Sequence, residues 1–151
     1  MSNTVRNILA ALLGLVGGLL IGSMLNMGVL MISNFVIPFP EGVNPADANS
    51  IRDNIKLFET KHYIMPFLAH ALGTLIGVFV AFKIIQMFRA TKFIAVGLAL
   101  VIALLFLWGG LATSKSINSP ETPMLVDAVL CYIPMAIIGY WLALRSSPKR
   151  G

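Results

Sequence analysis

Acidic residues are scarce in this chain, six Asp and Glu in 151 residues against eleven Lys and Arg, and charged residues make up only 11% of it. Cysteine occurs once, at Cys131, and histidine twice, at His62 and His70. A lone cysteine excludes an intrachain disulfide and paired-thiolate metal motifs. No nucleophile elbow, P-loop, dinucleotide fingerprint, H-E-x-x-H or pair of catalytic carboxylates occurs, and Cys131 has no evident general base beside it. Enzyme chemistry and a bound cofactor therefore gain no support.

What is present is apolar. Hydrophobic residues are 58% of the chain and mean hydropathy is +0.87, which leaves too little polar sequence for a separate soluble domain. Residues 7–40 carry no formal charge, nor do residues 62–82 and 93–114, and residues 122–144 contain only Asp127. Each run reaches the ~20 residues that a helix rising ~1.5 Å per residue needs to cross ~30 Å of hydrocarbon. The runs are continuous rather than alternating, which argues against a β-barrel. The expectation is an all-α polytopic membrane protein: one domain and one bundle of four transmembrane helices at about 7–32, 62–83, 92–113 and 123–145. Arg6 ahead of the first run imitates a secretory signal, but the run is too long for an h-region and has no A-x-A site, so it reads as a retained anchor.

Charge placement orients the chain. Four alternating crossings put Arg6, Lys83, Arg89, Lys92, Arg145, Lys149 and Arg150 on one side with no acidic neighbour. Arg52, Lys56, Lys61 and Lys115 fall on the other, mixed with Glu41, Asp47, Asp53, Glu59 and Glu121. The positive-inside rule then places both termini in the cytoplasm. The net charge of +5 reads as topology and attraction to anionic membrane lipid, not as nucleic-acid binding.

The loop 33–61 opens with Ile37-Pro38-Phe39-Pro40-Glu41-Gly42, which cannot remain helical because proline lacks the amide donor. Asn44 before Pro45 reads as an N-cap, and Ile51, Ile55 and Phe58 recur at helical spacing, predicting a short amphipathic extracytoplasmic helix at 46–58. Thr122 before Pro123 likewise reads as the cap of the fourth helix.

In lipid, helices associate through close backbone approach and polar contacts rather than through hydrophobic transfer. Small residues at four-residue spacing mark such faces: Gly14, Gly18 and Gly22; Ala69, Gly73, Gly77 and Ala81; Ala95, Ala99 and Ala103. They serve packing within one chain or assembly with a second copy or a partner membrane protein.

Ionisable groups inside a span face a partner or a cavity, and His70 and Asp127 are the two here. Counted from the outer helix ends, Asn26, His70 and Asp127 lie roughly 9, 12 and 6 Å deep, which permits a polar cluster of all three. Thr74 and Tyr132 are candidate additions, although a continuous helix points Tyr132 away from Asp127. The cluster reads as a lock on helix register, as a proton or solute site built on the imidazole, or as part of a metal site. For the last, Met24, Met27 and Met31, with Met65, Met124 and His62 near outer helix ends, supply thioether and imidazole donors of the kind copper(I) takes; methionine is equally a flexible packing residue.

Leu68-Ala69-His70-Ala71-Leu72-Gly73-Thr74-Leu75-Ile76-Gly77, with Asp127 and Tyr132-Ile133-Pro134-Met135-Ala136, resembles small four-helix bacterial inner-membrane proteins. The resemblance implies a bacterial plasma-membrane location and assigns no activity. Together these readings predict an accessory or interaction subunit that assembles through its small-residue faces, or alternatively a small oligomeric transporter or channel for an ion, proton-coupled solute or metal that uses His70 and Asp127.

Overall fold

The computed structural model of the protein describes residues 2–146, so Lys149 and Arg150 of the basic set lie outside the described residues. Helix α1 spans Asn3–Val36. Its start is capped by Ser2, whose hydroxyl accepts from the Val5 N–H at 3.3 Å. Its end is set by Pro38, which pushes Ile37 into extended backbone at φ −130° and ψ 95°. The Asn34 side chain then accepts from the Phe39 N–H at 2.9 Å and turns the chain away. At 34 residues α1 is about 50 Å long, more than the ~30 Å of hydrocarbon in a bilayer.

The loop helix is shorter than its apolar spacing predicts. Asp47, not Asn44, caps helix α2 (Ala48–Asp53), its carboxylate accepting from the Asn49 N–H at 2.9 Å. The Asn44 side chain instead accepts from Ala46 N–H across Pro45. Asn54 stops α2 because its side-chain amide donates to the Ser50 carbonyl at 2.8 Å, so only a single 3-10 turn, Ile55–Leu57, follows where the helix at 46–58 was expected. A second 3-10 turn, Thr60–Tyr63, runs straight into helix α3 (Ile64–Met87). Pro66 falls in the first turn of α3, where its missing N–H has no intrahelical partner to lose.

Helix α4 covers Lys92–Ser116. The fourth apolar run is not one helix from 123 to 145, as its composition suggests, but two: α5 (Glu121–Leu130) and α6 (Ile133–Arg145). Pro120, not Thr122, occupies the N-cap position of α5, and Pro123 lies in its first turn. Among the described residues there is no strand, and four stretches are long and apolar enough to cross a membrane: Asn3–Val36, Thr60–Met87, Lys92–Ser116 and Glu121–Arg145. The protein is an all-helical bundle of candidate transmembrane helices.

Helix α3 is the hub, packed on α1, α4 and α6. The α1–α3 seam is made of backbone. A Cβ placed on Gly18 would meet the Gly77 carbonyl oxygen at 2.6 Å, and one on Gly77 would meet the Gly18 carbonyl at 2.9 Å. Gly22 and Gly73 repeat the reciprocal pair at the same two distances. The small-residue ladders of the first two long helices are therefore consumed inside the chain. Ala95 and Ala103 of α4 are buried too, while Ala99 is half-buried beside a groove between α4 and α6. Helix α6 adds a small face that was not anticipated, Ala136, Gly139 and Ala143, and a Cβ on Gly139 would strike the Leu75 carbonyl oxygen. At the basic end Lys83 Nζ donates to the Ala143 carbonyl at 3.2 Å, tying α3 to the last turn of α6.

This seam makes a paired prediction. Gly18→Ala should lower the stability of the detergent-solubilised protein by about 1–3 kcal/mol, since the Gly77 carbonyl and Ile102 must both give way. Gly28→Ala, on the same helix with nothing within 4 Å of the new Cβ, should leave it unchanged or slightly raised. Thermal unfolding of the two variants side by side decides it.

Candidate functional site

Pro134 makes the site. A proline has no N–H to give the carbonyl four residues back, and its ring crowds that carbonyl. For Pro134 that residue is Leu130, the last of α5. The helix opens over Cys131 and Tyr132, with Tyr132 at φ −113° and ψ −74°, and restarts at Ile133 with the proline in its first turn. A continuous helix at ~100° per residue carries Tyr132 away from Asp127. The break cancels that projection, and the tyrosine hydroxyl donates to Asp127 Oδ2 at 2.7 Å.

His70 arrives from the second turn of α3. Its Nδ1 lies 2.9 Å from both Oδ1 and Oδ2 of Asp127 and 3.0 Å from the Tyr132 hydroxyl. A carboxylate only accepts, so the imidazole donates through Nδ1–H and the neutral ring keeps Nε2 as an acceptor. The rings of His70 and Tyr132 lie 5.7 Å apart at 31°, and the side chains of His70 and Asp127 are 16% and 14% exposed. Tyr132 and Cys131 are fully buried, and the Cys131 thiol donates to the Phe67 carbonyl at 3.3 Å. Thus α3, α5 and the α5–α6 break are fastened to one another through one carboxylate.

Helix α4 takes part by omission. A Cβ on Gly110 would fall on the Tyr132 hydroxyl, and would stand 3.6 Å from Asp127 Oδ2. Gly110 and Tyr132 are the residues that sequence reasoning missed or discounted. Pro134 was the available signal for Tyr132, whereas nothing local marks Gly110 above its neighbour Gly109.

Above the triad, at the end where α3 and α5 begin, a small cleft of about 40 Å³ is lined by Tyr63, His70, Ser114, Ser119, Met124 and Asp127, among others. That is room for about one water molecule. The Tyr63 hydroxyl is buried without a hydrogen-bond partner, and Nε2 of His70 has none among the described residues. The site is therefore closed on its Nδ1 side and open on its Nε2 side.

The other candidates lie elsewhere. Asn26 sits against α3, its Cβ 3.0 Å from where a Cβ on Gly73 would be, and makes no hydrogen bond to His70 or Asp127. Thr74 is buried one turn along α3 with its hydroxyl unpaired. Met24, Met27 and Met31 are exposed on the outer face of α1, whereas Met65 and His62 are buried. His62 serves as a cap: its Nδ1 accepts from the Glu59 N–H at 2.9 Å. Of the thioethers only Met124 lines the cleft with His70, and among the described residues no group of three His, Cys, Asp or Glu side chains is placed to hold a metal ion.

No protein-family model, curated protein or solved structure matches the chain. Function has to be argued from the site itself.

Gly110→Ala should displace the Tyr132 hydroxyl and cost about 1–3 kcal/mol, whereas Gly109→Ala, with open space around it, should be neutral. Tyr132→Phe should cost about 2 kcal/mol by removing one hydrogen bond to the carboxylate while keeping the ring. Unfolding curves in detergent test all three, and an innocuous Gly110→Ala would refute the arrangement.

Proposed function

We propose that the chain is a small multi-pass protein of the bacterial inner membrane with both termini in the cytoplasm, and that His70 is a proton-accepting site for transport of protons or of a proton-coupled small solute. The observation that carries this reading is the asymmetric use of the imidazole: Nδ1 is held by Asp127 while Nε2 is left without a protein partner on a residue that lines the cleft. An ionisable pair inside a span is costly unless it faces a cavity or works, and this one does face a cavity. The carboxylate fixes the ring's tautomer by taking up Nδ1, which leaves Nε2 as the nitrogen available to a proton or solute. Tyr132, Cys131 and Tyr63 are the other titratable groups around it, and no lysine or arginine lines the cleft.

Assembly as an accessory subunit draws support from small-residue faces, but those of α1 and α3 are occupied within the chain. That shifts the balance toward the site. The orientation rests on Arg6, Lys83, Arg89, Lys92 and Arg145 sharing one end of the helices, with every acidic residue beyond or near the other. In that proposed orientation the cleft opens toward the extracytoplasmic side.

In proteoliposomes the protein should give a pH-dependent flux that His70→Ala and Asp127→Asn abolish and Tyr132→Phe reduces. Flux retained by the first two sinks the proposal, and a stable partner chain in native-membrane pull-downs, with no flux, returns the accessory reading. For orientation, Asn49→Cys should react with an impermeant thiol reagent on intact cells and Ser146→Cys should not, while native Cys131, fully buried, stays silent. The opposite labelling pattern reverses the topology.

A further inference from the structure

The cleft above the triad is small for a ligand site and polar for a packing gap. Its volume of about 40 Å³ is far under the ~300 Å³ or more that sites for organic molecules occupy, yet it admits water. Hydroxyl-bearing residues line it from three elements: Tyr63 from the 3-10 turn ahead of α3, Ser114 from α4, and Ser119 from the turn before α5. Tyr63 is set there by the segment before it. His62 is spent as the cap on the Glu59 N–H, Lys61 Nζ is paired with the Glu59 carboxylate at 3.1 Å, and the Tyr63 ring packs 6.4 Å from that of Phe58. The Tyr63 hydroxyl is nevertheless buried with no hydrogen-bond partner among the described residues. Leaving such a group unpaired is costly, and in native proteins ordered water meets it where the space is polar and large enough. His70 has the complementary need. Its Nδ1 is taken up by Asp127 and Tyr132, while Nε2 belongs to the same cleft as the tyrosine. A nitrogen that only accepts and a hydroxyl that donates and accepts are groups that one water can join.

We propose that the cleft binds water rather than an organic solute, that this water bridges the Tyr63 hydroxyl and Nε2 of His70, and that it delivers the proton to the imidazole, with Tyr63 as its positioning residue. This rests on the reading of His70 as a proton acceptor and narrows what reaches it to the proton itself. In the step, a proton from solvent adds to the water as one of the water's own protons passes to Nε2. The water is left unchanged, and the ring gains one positive charge beside the Asp127 carboxylate. Tyr63 neither gains nor loses a proton overall; its hydroxyl holds the water in line with the nitrogen, which shortens the search for a reactive geometry. Among the residues that line the cleft, Asp127 and Tyr63 are the other titratable groups, and none is basic besides His70.

The test is nitrogen NMR of the full-length, histidine-labelled protein in phospholipid bilayers, reading proton exchange between water and Nε2 of His70, with His70→Ala assigning the signal. The wild type should show transfer from water to that nitrogen. Tyr63→Phe should slow the exchange about tenfold, the effect of losing one hydrogen bond that orients the donor. Tyr140→Phe, which removes a hydroxyl outside the cleft, should leave it unchanged. Because Tyr63→Phe keeps the ring and removes a hydroxyl with no protein partner, the variant should fold as the wild type does. Excess glycine or acetate, as probes for an organic occupant, should leave the water signal as it was. A ring that receives nothing from water, equal exchange in wild type and Tyr63→Phe, or a signal quenched by glycine or acetate overturns the proposal. Proteoliposome flux keeps this inference apart from the reading beneath it. Exchange that Tyr63→Phe slows, in a protein that carries no flux, upholds the water site and removes transport; flux that needs His70, with exchange indifferent to Tyr63→Phe, removes the water site and keeps transport.

Discussion

The missing amide hydrogen of Pro134 is the constraint on which the rest of the site depends. Without it the fourth span is one helix, Tyr132 turns away from Asp127, and the carboxylate faces His70 alone. With it the chain opens for two residues and the tyrosine hydroxyl reaches back five positions to complete the triad. Gly110 on α4 follows from this, because the space the hydroxyl occupies is the space a side chain there would fill. A local covalent fact thus propagates through one hydrogen bond into a requirement on a different helix.

The triad is also where stability and chemistry meet. A buried carboxylate needs donors, and Asp127 draws them from α3 and from the break in its own span, so the charge that is costly in a membrane becomes the fastening between segments. The same contacts fix which imidazole nitrogen is spent and which is left. The arrangement ties α3 to both halves of the fourth apolar stretch and leaves Nε2 without a hydrogen-bond partner among the described residues. The opposite end of the bundle has the reverse character: its charged residues are all basic, and the groove between α4 and α6 is lined by aliphatic side chains and Tyr140.

Packing between the long helices is of another kind. The paired glycines of α1 and α3 place carbonyl oxygens where side chains would otherwise be, which suits a medium in which burying apolar surface returns little and close contact returns more. Spacing singled out those glycines as a packing face. It could not say whose face lies opposite, since an intramolecular and an intermolecular seam use the same residues at the same intervals.

Helical class, the number of apolar stretches, the segregation of charge and the two ionisable residues His70 and Asp127 were all legible along the chain, because these depend only on local composition and on distance along a helix. The chain also held Pro134 in plain view, yet average hydropathy over the run outweighed a single break. That Tyr132 joins the pair, that Asn26 does not, that Gly110 leaves the space for the hydroxyl and that Met24, Met27 and Met31 stay exposed on α1 emerged from the packing of the helices. Each of those depends on the rotation of one helix relative to another or on a change of direction within a span, and such rotations are set by contacts between residues far apart in the chain.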